Sequence, residues 1–166
     1  MVPVIAHDRI DPALVHNLTD AVRTGTGLAS CHGGLAASFP GAVKFHFLTA
    51  VHWVALPGDT VARYRVFATM PDIAIMQGMG DFDDPSAQYY VLCDLSVDLP
   101  ATTTFTGDHD MATTGVKMPV VFKRRFGAGP ITYSALGRKH RELTHAHEIP
   151  RRGLSLAARD PKEILQ

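Results

Sequence analysis

The sequence predicts a single α/β domain over residues 1–166, organised around a parallel strand–helix–strand unit. Three observations carry this. Residues 2–6 (Val-Pro-Val-Ile-Ala) form a short, apolar and partly β-branched run. A helix-start signature follows at Asp11 and Pro12. Then comes a run of small residues from Thr26 to Cys31. Two strands flanking a helix through short connections are the elements of a right-handed crossover between parallel strands.

Each element has a local reason. Asp11 suits a helix N-cap and Pro12 the first helical position, where a missing N–H does no harm. Ile10 before the cap is placed to staple onto Val15. Leu14, Leu18 and Val22 recur at four-residue intervals and predict the buried stripe, and Gly25 ends the helix. From Ala36 to Pro57 the pattern is irregular, with Phe39, Phe45, Phe47 and Trp53 among glycines and prolines, and a loop-rich insertion is expected. Val61–Thr69 alternates as a strand does, and Tyr89–Cys93 and Leu99–Phe105 are further β candidates. Val120–Arg124 and Ile131–Ala135 flank Gly127-Ala-Gly129-Pro130, which reads as a hairpin with a glycine turn. Pro150 to Arg159 predicts a short amphipathic helix.

Composition narrows the function. Hydrophobic residues make up 46% and charged residues 19%, which suits a globular chain. Lys plus Arg and Asp plus Glu both number 16, so neither nucleic acid nor an anionic membrane is an expected partner. Lys123, Arg124 and Arg125, and Arg138, Lys139 and Arg141, lack interleaved aromatics and read as solvated faces. No apolar run approaches the ~20 residues that span a bilayer. The start, Met1 to Asp8, meets a charge too soon for a signal peptide. Cys31 and Cys93 form no disulfide framework, so a reduced, cytoplasmic protein is expected. No cofactor is implied. Among the nine histidines, His46 and His52 are six apart, and His145 and His147 share a face only in an extended segment. Neither spacing is a specific metal signature, although His32, His52 and His109 could assemble at a distance.

Three stretches in order resemble the trehalose-utilisation (ThuA-like) family. The first is Gly27-Leu-Ala-Ser-Cys-His32-Gly-Gly34, with Trp53-Val-Ala-Leu-Pro-Gly58 after it. The second is Gln88-Tyr89-Tyr90, leading to Ala101-Thr-Thr-Thr-Phe105 and Gly107-Asp108-His109-Asp110. The third runs from Met118-Pro-Val-Val-Phe through Gly127-Ala-Gly129 and Ile131-Thr-Tyr-Ser-Ala-Leu-Gly137 to Arg151-Arg-Gly-Leu154. The resemblance implies a three-layer, flavodoxin-like sandwich with a parallel central sheet, related to class I glutamine amidotransferases. It also implies a role in the use of trehalose or a similar disaccharide. Members of the family extend further upstream, so the resemblance implies a shortened domain lacking the first strand and helix. A strand edge left bare in this way would call for cover or for a homodimer partner.

In such folds a tight strand-to-helix elbow raises one side chain above the sheet, beside free helix N–H donors. Small residues must stand two before and two after it. Ser30 and Gly34 satisfy this around His32, and Ala29 and Gly33 satisfy it around Cys31. The resemblance favours His32 at the tip. A histidine there cannot form the thioester that glutamine amidotransfer requires, but imidazole can act as acid or base near neutral pH. The candidate catalytic residues are therefore His32, Asp108 and His109, and the candidate substrate-binding residues are Gly33, Gly34, Trp53, Gln88 and Tyr89. The ligand expected is a small carbohydrate. Two alternatives stay open: a hydrolase that uses Cys31, and a non-catalytic binding or dimerising module. Ala87 stands where the family has a glutamate, and Arg138 where it has a histidine.

Overall fold

The computed structural model describes residues 1–3, 5–56, 63–85, 87–106, 114–137 and 145–158. Its first helix, α1 (Pro12–Arg23), begins as the sequence predicts: the Asp11 carboxylate accepts from the Ala13 N–H at 2.7 Å. The buried stripe differs by one position. Val15 and Val22 are buried with Leu18 half-buried between them, while Leu14 is 58% exposed. Spacings of three and four, rather than four throughout, keep a stripe facing one way on a helix of 3.6 residues per turn. Ile10 packs against the same cluster as Val15.

After α1 come β1 (Leu28–Cys31), α2 (Val43–Thr49) and β2 (Val51–Ala55). The stretch expected to be a loop-rich insertion thus contains a helix and a strand. Then follow β3 (Tyr64–Ala68), β4 (Phe82–Asp84), β5 (Tyr90–Cys93), β6 (Asp98–Thr104), β7 (Lys117–Phe126), β8 (Gly129–Ser134) and α3 (His145–Ala158). Helix α3 begins before Pro150, which lies inside it rather than at its start.

The main sheet has the order β1-β8-β7-β6-β3-β4, and β2 pairs with β5 in a separate two-stranded ribbon. Among the described residues only β1 and β8 run parallel; the other pairs are antiparallel. The expected parallel central sheet is therefore corrected to a mixed one. The reason is connectivity: Gly127 and Ala128 alone join β7 to β8, and so tight a link permits only antiparallel strands. Gly127 supplies the left-handed turn conformation at φ 60°.

Apolar clusters lie on two faces of this sheet. Ile131 and Tyr133 of β8 join Val15, Val22, Phe45 and Phe122 in one cluster. On the other side Ile149 packs with Val66, Val121, Leu136 and Met76. Thr132, between Ile131 and Tyr133, points the other way and donates to the Gly153 carbonyl of α3 at 3.0 Å.

The outer edge of β1 is met by the first residues of the chain. The Ala29 N–H donates to the Met1 carbonyl at 3.0 Å, and the Met1 ammonium donates to the Gly27 carbonyl at 2.7 Å. Among the described residues no helix is long and apolar enough to cross a membrane.

Candidate functional site

His32 follows the last residue of β1 and takes the left-handed conformation, φ 50°. An L-residue adopts that region only where its surroundings hold it. Two bonds hold this one. The His32 N–H donates to the Ser134 carbonyl at 2.8 Å, extending the β1–β8 ladder. Its own carbonyl accepts from the Tyr133 hydroxyl at 2.5 Å. Burial pushes the Tyr133 phenol well above its ordinary range, with Tyr89, Cys31 and Tyr64 adding to the effect, so the group stays a neutral donor.

The turn beyond is tight. The Gly34 N–H donates to the Cys31 carbonyl at 3.0 Å. A Cβ on Gly34 would lie 1.9 Å from the Ser30 hydroxyl and 2.6 Å from the Pro3 carbonyl, and only glycine fits there. The small-residue requirement at positions 30 and 34 is therefore met around His32. The helix expected directly after the elbow is absent: residues 33–41 make turns, and α2 starts only at Val43. Helix N–H donors are thus not part of the described surroundings of His32.

The half-buried His32 imidazole lies 5.4 Å from the ring of Tyr89, centroid to centroid, inclined at 56°. Tyr89 is itself buried. A Cβ on Gly33 would meet Ala6 at 3.4 Å, so the N-terminal segment passes directly beside the turn. The main-chain N–H of Trp53 on β2 donates to the Ala36 carbonyl at 2.8 Å, and the half-buried Trp53 ring meets the His7 imidazole edge-on at 4.8 Å. The structure thus brings His32 beside Tyr89, and Trp53 to the same turn. It adds His7, whose φ of 55° and bond to the Ala37 carbonyl at 2.8 Å carry no signature in the local sequence.

Gln88 is buried and committed elsewhere. Its amide donates to the Thr103 hydroxyl at 3.0 Å and the Thr104 carbonyl at 2.8 Å, and its oxygen accepts from the Thr106 N–H at 2.9 Å. That arrangement clamps the end of β6 and leaves little for a ligand. Ala87, where the family resemblance implies a carboxylate, is buried in the core. Asp108, His109 and Arg138 lie outside the described residues.

Cys31 is half-buried, and burial pushes its thiol up from the ordinary 9.0. That is the reverse of what a nucleophilic thiolate needs. Among the described residues no group of three or more His, Cys, Asp or Glu side chains is placed to hold a metal ion. His52 pairs with His46 rather than reaching toward His32. Burial, then the neighbouring His46, lowers the pKa of His52. A cavity of about 460 Å³, floored by Ile10, Val15, Phe39 and Ala42, opens beside α1 and α2, and His32 is not in its lining.

With this geometry in view, the comparisons are consistent. The family model described as ThuA, Trehalose utilisation, matches residues 1–153. A ThuA-like protein from Parabacteroides merdae superposes with a TM-score of 0.73 at 14% identity, covering 95% of this chain and 69% of the other. One from Bacteroides uniformis gives 0.70 at 9% identity, covering 96% and 71%. The β-galactosidase of Bacillus circulans gives 0.52 at 13% identity, covering 95% of this chain but 21% of the enzyme. At such low identities these superpositions show a shared fold and nothing more. No curated protein matches the chain in sequence.

Proposed function

We propose that this chain, which belongs to the trehalose-utilisation (ThuA) family over residues 1–153, binds a disaccharide over the carboxyl end of β1, with His32 as its acid–base group. Membership links the chain to carbohydrate utilisation. The finer reading rests on one observation: a left-handed histidine at the end of a parallel strand, its carbonyl held by Tyr133 and its turn closed by two glycines, the second packed against Ser30 and Pro3. Ligands of α/β folds collect at the carboxyl ends of parallel strands. An imidazole held there can take or give a sugar hydroxyl proton near neutral pH. Trp53 and His7 supply an apolar and a polar ring close to the same turn, the usual means of gripping a pyranose face and its hydroxyls. Asp108 and His109 remain candidates for orienting the imidazole or a hydroxyl.

Glutamine amidotransfer forms no part of this proposal, because an imidazole cannot carry the acyl intermediate. Nor does a hydrolase centred on Cys31, whose thiol burial keeps protonated. A dimer through a sheet edge is not favoured either. Residues 1–3 bond one edge, and β4 at the other is only three residues long and carries the exposed Asp83.

The test is a panel of disaccharides, trehalose among them, followed by melting temperature and calorimetry. Wild type should bind at least one sugar, and His32→Ala should lose that binding while keeping its fold. A panel that leaves the melting temperature of wild type unmoved would remove the proposal.

A further inference from the structure

The turn between α2 and β2 brings two imidazoles together. Ala50, at φ 61°, closes α2 and redirects the chain, so that His46 in the last turn of the helix faces His52 of the strand. His46 Nε2 and His52 Nδ1 lie 3.2 Å apart, with the rings inclined at 83°. Two nitrogens, each about 2.0–2.1 Å from one tetrahedral ion, lie roughly 3.3 Å apart. The observed nitrogen–nitrogen spacing therefore suits a shared ion, at which a turn of the two side chains would aim both lone pairs.

The second nitrogen of His46 strengthens the case. Its Nδ1 lies 3.2 Å from the Val51 carbonyl, which can only accept and so receives a hydrogen bond in the tautomer that protonates Nδ1. Nε2 is then the electron-pair donor and faces His52. A main-chain carbonyl on the far nitrogen is the usual support that fixes the tautomer of a metal-binding histidine. The Pro40 carbonyl oxygen is 3.3 Å from the same Nε2. In that tautomer the lone pairs of His46 and Pro40 meet beside His52, where a cation between them would reconcile them.

We propose that His46 Nε2 and His52 Nδ1 form a two-imidazole site for a borderline divalent transition ion such as Zn²⁺, with the Pro40 carbonyl and solvent completing its shell. Imidazole nitrogens suit zinc, copper and nickel. Neighbouring strand residues point to opposite faces, so His52 and Trp53 serve different sides of β2 and this site is separate from the sugar site. Bound metal would tie the last turn of α2 to β2.

Calorimetric titration of the chelator-treated full chain with zinc chloride tests this, beside His46→Ala, His52→Ala and the control His16→Ala. His16 is an exposed residue on α1 paired with Asp20 at 3.2 Å. One ion per chain is expected, bound at least about tenfold more weakly by either of the first two variants and unchanged in the control. Zinc should also raise the melting temperature of wild type and not of His52→Ala. Absence of binding, or equal binding by wild type and both variants, would overturn the site and leave a shared proton between the rings. Nitrogen-15 spectra of folded wild type serve if a variant misfolds. Zinc must shift Nε2 of His46 and Nδ1 of His52, and signals that stay in place contradict the proposal.

Discussion

The buried Tyr133 hydroxyl donates to the main-chain carbonyl of His32 at 2.5 Å, so a β8 side chain fixes the backbone of the turn that ends β1. Tyr133→Phe removes that donor and leaves the carbonyl without it. The expected loss of stability is about 1–2 kcal/mol, measured by denaturant unfolding. If the His32 conformation serves binding, the variant should also weaken any sugar that wild type binds, because the turn relaxes from φ 50°. Full affinity in a destabilised variant would make Tyr133 a purely structural residue.

Gly34 is constrained more severely. Gly34→Ala would place a methyl 1.9 Å from the Ser30 hydroxyl and 2.6 Å from the Pro3 carbonyl. Overpacking of this kind costs about 2 kcal/mol or more. Adding Ser30→Ala should restore part of the loss and not all of it, because the Pro3 carbonyl remains in the way. Thermal denaturation of the two single variants and the double variant reads this coupling.

Cys31 should resist alkylation. Its thiol is raised above 9.0 by burial, so iodoacetamide labelling of the folded protein should be slow at neutral pH and quicken only above that value. Mass-spectrometric rates at Cys31 and the exposed Cys93 provide the comparison. Rapid labelling of Cys31 in mildly acid buffer would revive the thiol-centred alternative.

Glu148 predicts an acid-sensitive contact in α3. Hydrogen bonds from Arg151 and Arg152 hold its carboxyl at about 2, against an ordinary 4.5. A depressed carboxyl stabilises the fold fully above its unfolded value, and the contribution disappears as pH falls through the folded one. Glu148→Gln should therefore be slightly less stable than wild type at about pH 6 and match it near pH 2, with the difference fading over that interval. The three side chains lie at the surface, so the difference should be small and should shrink in salt. Circular-dichroism melts across this range decide it.

What the sequence made legible is what local chemistry specifies. Asp11 and Pro12 mark a helix start through a cap that needs no tertiary partner, and Gly127 marks the β7–β8 turn through its backbone freedom. Helix α2 gave no such sign. Its N-cap is Ala42, which makes no side-chain bond, and it spans seven residues. Pro150 suggested a helix start but lies within α3, whose first turn precedes it. The mixed sheet was hidden because only β1 and β8 run parallel, and that pair joins residues about a hundred positions apart in the chain. At the site, the small residues around His32 were readable as a steric requirement. His7 and the His46–His52 pair were not, because each depends on a left-handed backbone at an ordinary residue, His7 itself or Ala50.

The most direct measurement is the nuclear magnetic resonance spectrum of the His32 imidazole and the Tyr89 ring during titration with the disaccharide that binds best. The account predicts that both sets of signals move together and saturate with the calorimetric affinity. Saturation of the protein with sugar while the His32 and Tyr89 signals stay fixed would place the ligand elsewhere and contradict it.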